Sequence, residues 1–374
     1  MLSRFVVPSL AALALVPAAQ AFEIDTGDAS LSIEPRIQSR IEFASASDAA
    51  GNDYDIWDTT STDPQSVNMY IRRARLYFKG KAFDNIKFEA TLYADEIGAV
   101  QRRDGTGVDF RYATVGWEQK TDDMKHYVRF GLQKQTAVAG DFDSSSKQLF
   151  PNGRLSASYA GPRSVGLAYF LTAPMFNLRV GLADEPDSTP TDNNDWHFFA
   201  RIATGLKEDW ALDKRSESFL GKEGFAHEVG LGFDIRSEGS DPDNNSGATV
   251  ISLDYNVHYN QISGNVDLLL LDQDAGNVSG QIFLVQGAYA VPLESGAVVE
   301  PALRFTLVDN DTDDDNELSV LEEEGGESGT YIDLGVNYYI NKHNNKFQAG
   351  IQIFSAEDGE GDATVFRIGH QLEF

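Results

Sequence analysis

The chain contains no cysteine, which excludes disulfide staples and thiolate metal centres. Past its N-terminal leader it has no apolar run near the ~20 residues that a membrane-crossing helix requires. Basic residues are scarce, 30 against 58 acidic ones, for a formal net charge of −28. That balance argues against nucleic acid as a partner, because phosphate neutralisation needs an excess of Lys and Arg. Helical periodicity is nowhere sustained. Catalytic signatures are missing as well. His126, His197, His227, His258, His343 and His370 are scattered, with no H-E-x-x-H and no G-x-S-x-G. These absences argue against an enzyme, and nothing in the chain implies a cofactor.

What is present starts at the N-terminus. Arg4, the apolar Phe5–Val16 stretch and Ala19-Gln20-Ala21 make up a secretory signal peptide over residues 1–21. The remainder, 22–374, reads as one domain. Its pattern is set by Met69–Asp95, two alternating runs around a short Gly80–Asn85 connection. Tyr70, Ala74, Leu76 and Phe78 share one face there; Arg73, Arg75, Tyr77 and Lys79 share the other. Successive strand residues point to opposite faces, so this is a hairpin with an apolar side and a charged side. Arg72 falls on the apolar side by parity, as does His370 in the final run.

The two-faced pattern recurs in 16 runs from Leu31 to Phe374, blurred only at Asp109–Trp117 and at Leu268–Leu271. Segments of about ten alternating residues separated by turns are the mark of a transmembrane β-barrel. A soluble sandwich would alternate too. Small residues on the polar face (Gly131, Gly181, Gly232, Gly335, Gly350) and aromatics near run ends (Trp117, Trp196, Tyr338, Phe374) favour the barrel. The expected fold is therefore all-β: a transmembrane antiparallel barrel of about 16 strands. Gly80–Asn85, Ala173–Pro174, Pro292–Gly296 and Asn341–Asn345 read as short turns. Ser45–Ser66, Ala183–Asn194, Lys207–Gly224 and Asp309–Gly329 read as long outer loops.

Arg72-Arg73-Ala74-Arg75-Leu76-Tyr77-Phe78-Lys79-Gly80 resembles the N-terminal signature of the phosphate-selective porin O and P family. Phe130–Lys134 followed by the Ser-rich Asp141–Lys147 resembles that family's fifth strand and constriction loop. Leu334–Asn341 resembles its segment near the C-terminus, and the final run ending in Phe374 is similar to the assembly signature of outer-membrane barrels. The resemblance implies a trimeric, 16-stranded channel in the outer membrane of a Gram-negative bacterium. It also implies a third loop folded into the lumen and passage of anions.

A charge facing lipid at mid-membrane costs about 2–4 kcal/mol, so Arg73, Arg75 and Lys79 should face the lumen. Arg36, Arg40, Arg129 and Lys134 extend that set. Two roles stay open for it. Guanidinium forks left unpaired would line a pore for anions; paired with Glu34, Glu42, Glu89 or Asp95, they would brace the wall. Ala137–Gly161 is the candidate constriction loop, with Asp141, Asp143, Lys147 and Arg154 placed to line a narrow passage. Asp311, Asp313, Asp315, Glu317 and Glu322 match the ligand spacing of a calcium loop. Asn316 replaces the usual turn Gly there, and a solvated acidic loop is the better reading. The expected function is passive diffusion of small hydrophilic solutes or anions through a trimer set in lipid and lipopolysaccharide. Two alternatives stand beside it, a porin without anion preference and a structural or adhesive envelope barrel.

Overall fold

A computed structural model describes residues 22–48, 67–97, 108–142, 144–157, 163–184, 196–205, 216–237, 247–273, 278–311, 328–357 and 361–374. The signal peptide, Asp143, Asp313, Asp315, Glu317 and Glu322 lie outside the described residues, and of Asp311 only the backbone, closing a strand, is described. The strands are β1 (Phe22–Asp25), β2 (Ala29–Asp48), β3 (Val67–Ala82), β4 (Ile86–Ile97), β5 (Asp109–Lys120) and β6 (Lys125–Lys134). They continue as β7 (Arg163–Thr172), β8 (Phe176–Asp184), β9 (Trp196–Gly205), β10 (Phe225–Arg236), β11 (Ala248–Tyr259) and β12 (Ile262–Gln273). The last six are β13 (Val278–Tyr289), β14 (Val291–Pro292), β15 (Val298–Asp311), β16 (Gly329–Asn341), β17 (Asn345–Ala356) and β18 (Gly361–Glu373).

Each long strand pairs antiparallel with its sequence neighbour, and β18 returns to pair with β2. The sheet therefore closes on itself with 16 strands, as the alternation predicts. Closure leaves no open sheet edge, so outside the bulges the backbone of the wall pairs within the sheet. The two-residue β14 and the four-residue β1 are short additions beside β15 and β2.

Alternation sorts the side chains into an inside-out arrangement. Phe130, Ile202, Leu253, Leu303 and Leu334 are exposed, while their neighbours Arg129, Arg201, Asp254, Arg304 and Asp333 are buried. An apolar exterior over a polar interior is what a barrel in a bilayer requires.

Two bulges correct the hairpin as read by simple parity. Gln38 pairs with Arg73 and Ser39 with Ile71, so Arg72 is an extra residue in β3. A bulge shifts the face of what precedes it. Tyr70 consequently turns toward the polar side, where its hydroxyl lies 3.4 Å from Arg40, and Arg72 pairs with Glu96 at 2.7 Å. A second bulge puts Arg111 between Phe110 and Tyr112 opposite Thr91–Leu92. It accounts for the weak alternation of Asp109–Trp117.

Leu268–Leu271 is strand throughout. Leu268 and Leu270 face outward, whereas Leu269 and Leu271 join a buried apolar cluster with Val250, Ile282, Val308, Tyr331 and Phe354. That cluster covers part of the inner wall, and Val138 and Leu155 of the loop between β6 and β7 pack into it.

The described ends of the Lys207–Gly224 connection do not stand with the outer loops. The β9–β10 connection starts beside the β7–β8 turn, where Thr204 bonds Met175 at 2.7 Å. It ends beside the β11–β12 turn, where Asn260 N donates to Gly224 O at 2.9 Å. It belongs to the end of the short turns.

Candidate functional site

The barrel interior divides into two walls. On β2–β8 the basic residues dominate. Arg36 bonds Glu373 at 2.6 Å and Ser145 Oγ at 3.2 Å. Arg40 reaches Glu42 at 3.3 Å and the Pro151 carbonyl. Arg75 grips Asp95 with two nitrogens (Nε to Oδ1 3.1 Å), and Lys79 pairs with Glu34. Arg129 donates to Gln133 and lies 4.7 Å over the Phe170 ring. Arg73 donates to Gln38 Oε1 at 3.0 Å and makes no ion pair among the described residues. Bracing contacts therefore engage most of the expected ladder.

The opposite wall, β10–β16, carries the buried acids Glu228, Asp234, Asp254, Asp267, Glu300 and Asp333. Arg201 sits on Asp254 at 2.5 and 3.0 Å, and Arg304 on Asp333 at 2.9 Å. Two walls of unlike charge set up a field across the interior.

The loop between β6 and β7 runs between these walls. It opens with one helical turn, Ala139–Phe142, and closes with a 3₁₀ turn, Leu155–Ala157. Ser145 meets Arg36 and Gln38 on β2, and Ser146 O accepts from Gln371 on β18. Gln148 O accepts from Lys346 at 2.9 Å, Leu149 O from Asn337 at 2.9 Å and Gly153 O from Arg304 at 2.9 Å. Glycines on the wall make room for it. A Cβ on Gly335 would stand 2.9 Å from the Phe150 ring, and one on Gly232 would overlap Ala137.

Of the expected loop residues, Asp141 pairs with Lys134 at the loop's start. Burial works to raise the Asp141 pKa, but Lys134 and Arg163 outweigh it and hold the carboxyl below its ordinary range. Arg154 is a correction. It lines no passage; fully buried, it binds Asp267 at 2.8 and 3.0 Å and lies 3.2 Å from Glu217. A buried guanidinium needs such a carboxylate cage, and the cage pins the loop to β12. Alternation does not single out Arg111, Arg163, Arg201, Arg304 and Arg367, cations on strands whose polar face otherwise looks ordinary. Glu217 lies outside the strands, where alternation carries no signal. Among the described residues no group of His, Asp and Glu is gathered to hold a metal ion.

A closed 16-stranded antiparallel barrel with an apolar outside, a charged inside and a long loop against its inner wall is the architecture of outer-membrane porins. Solved structures of that class are similar to this chain. The OmpF porin of Salmonella typhi, solved with daunomycin, matches at 14% identity and a TM-score of 0.58, over 94% of this chain and 100% of that one. The trimer form of OmpT from Vibrio cholerae matches at 13% and 0.55, over 92% and 99%. The anion-selective porin of Comamonas acidovorans matches at 12% and 0.54, over 92% and 100%. At such identities the likeness is one of fold. The family model described as phosphate-selective porin O and P matches residues 47–205. That span takes in Arg72–Gly80 and Phe130–Lys134 and bears out the resemblance read from them. No curated protein matches the chain.

Proposed function

We propose that the chain is a passive diffusion channel of the bacterial outer membrane, exported by its signal peptide and assembled as a trimer. The observation that carries this reading is the loop Gln135–Ala157, fastened between a basic and an acidic wall inside a barrel with an apolar exterior. Small hydrophilic solutes pass between loop and wall down their gradient, with no cofactor. The family match and the porin neighbours support the channel. The trimer of OmpT and the anion selectivity of the Comamonas porin are properties of those proteins, and they set the direction of the tests.

Selectivity rests on the charges that remain unpaired. Arg36, Arg40, Arg75, Lys79 and Lys134 are engaged with carboxylates, which favours bracing and a weak preference. Arg73 is held by Gln38 and makes no ion pair among the described residues. It supplies a positive site on β3, and a modest anion preference is assigned to it. The purified protein in planar bilayers under a KCl gradient should give a reversal potential on the anion side. Arg73→Ala should move that potential toward zero. An unchanged potential removes Arg73 from the selectivity assignment, and absence of any conductance ends the channel reading. Chloride current unaffected by phosphate would exclude a phosphate-specific site. The pairing of the ladder also gives weight to the porin without anion preference, which the same recording decides.

A further inference from the structure

The segment Ser216–Gly224, ahead of β10, enters the barrel from the turn end and meets the constriction loop. Glu217 is 2% exposed. Its carboxylate accepts from Leu149 N at 2.8 Å and lies 3.2 Å from Arg154, while its own amide donates to Lys147 O at 3.2 Å. The wall holds the same three loop residues: Lys346 and Gln348 donate to Gln148 O at 2.9 and 3.0 Å, and Asn337 to Leu149 O at 2.9 Å. Residues Lys147–Leu149 are thus held both by β16–β17 and by a segment that enters from the turn end of the barrel.

The clasp has its own foundation. Ser218 Oγ donates to Glu300 at 2.6 Å, His343 Nε2 lies 3.3 Å from Ser218 O, and the Phe219 ring packs on His258 at 4.5 Å. Gly224 N donates to Asn260 Oδ1 at 2.9 Å. One carboxylate therefore joins two points of the loop, Leu149 and Arg154, to an element that takes no part in the outer rim. The wall's backbone pairing is complete without it, so the side chain has little to do for barrel closure.

We infer that Glu217 is a positioning residue of the channel, holding the constriction loop at its fixed distance from the wall through Leu149 and Arg154. The inference rests on the channel reading for its consequence, since loop position sets the open cross-section. It also couples the turn-end mouth to the constriction: whatever displaces Ser216–Gly224 displaces the loop.

Two variants of the full-length protein test this. Glu217→Gln keeps an acceptor for Leu149 N and loses the charge facing Arg154; Glu217→Ala loses both. In planar bilayers Glu217→Ala should show raised open-channel noise and an altered conductance, with Glu217→Gln intermediate. Heat-modifiable mobility on gels should match the wild type in both, which a purely structural role would not give. Hydrogen exchange at the Leu149 amide should quicken by about tenfold in Glu217→Ala, as loss of its acceptor demands. Wild-type noise and conductance in both variants would overturn the inference, as would an unchanged Leu149 exchange rate. If the wild type itself does not conduct, the channel reading falls, while the exchange measurement still decides whether Glu217 holds the loop. Should Glu217→Ala fail to fold, Glu217→Gln still carries the noise and conductance readout, since it loses the charge facing Arg154.

Discussion

Replacing Ser144–Gly153 with a short Gly-Ser linker is expected to raise single-channel conductance several-fold. The resistance of a water-filled barrel is concentrated at its narrowest section, and on the proposed channel reading that section is made by the loop. The excised stretch presents Ser145, Ser146, Gln148, Leu149, Pro151 and Gly153 to side chains from β2, β15, β16, β17 and β18. Removing it takes a carbonyl partner from each of Arg40, Arg304 and Lys346, but Arg40 keeps Glu42, Arg304 keeps Asp333, and the freed donors face lumen water and not a dry core. The cost of leaving a charge unpaired is the cost of keeping it dehydrated, so the barrel should still fold. Arg154, Leu155 and Val138 remain, and with them the Asp267 anchor and the apolar cluster that hold the loop's stumps against β11–β17. Bilayer recordings read the outcome, with heat-modifiable gel mobility as the folding control. A variant that folds and conducts like the wild type would show that the loop is not the constriction.

The degree to which this arrangement is legible in the sequence depends on which interaction fixes each part. Strand existence is legible because the bilayer-facing side must be apolar at every second residue. Sixteen runs follow from that one constraint, and each appears in the closed sheet. Bulges are not legible, because a single inserted residue looks like noise in a period of two. Arg72 on the apolar side and the faint run Asp109–Trp117 are the traces of two of them. Loop placement is legible only by length. A connection that turns inward is as long as one that reaches outward, and the described part of the β9–β10 connection, Ser216–Gly224, is of the inward kind.

The charged ladder marks a different limit. Alternation places Arg73, Arg75 and Lys79 on the polar face and says nothing of their partners. Those partners come from distant points: Glu373 for Arg36, and Pro151 for Arg40. Whether an arginine braces a wall or meets a solute is decided by contacts across a closed sheet, where neighbours in space lie up to 337 residues apart in sequence. The same holds for Arg154, whose Asp267 is 113 residues on. A loop arginine and a strand aspartate carry no mutual signal until the barrel closes.

Leu253→Arg should destabilise the barrel by about 2–4 kcal/mol, while Tyr259→Arg on the same strand should cost only about 0–1 kcal/mol. Leu253 sits in the middle of β11 opposite Leu231, with both side chains exposed, at 47% and 52%. Tyr259 lies on the same outward face at the turn end of that strand, also exposed, at 56%. Six residues of tilted strand separate them by roughly 14 Å of depth. In a soluble barrel both positions would be in water, and both arginines would be nearly neutral. In a bilayer the guanidinium at Leu253 must either dehydrate or drag water and head groups inward, whereas at Tyr259 it reaches the interface by extending its own stem. Urea unfolding in liposomes gives the two values, and their difference, not either alone, identifies the medium outside the wall. Equal costs would place the exposed leucines of β10 and β11 against something other than lipid, such as a neighbouring subunit across the full height of that face.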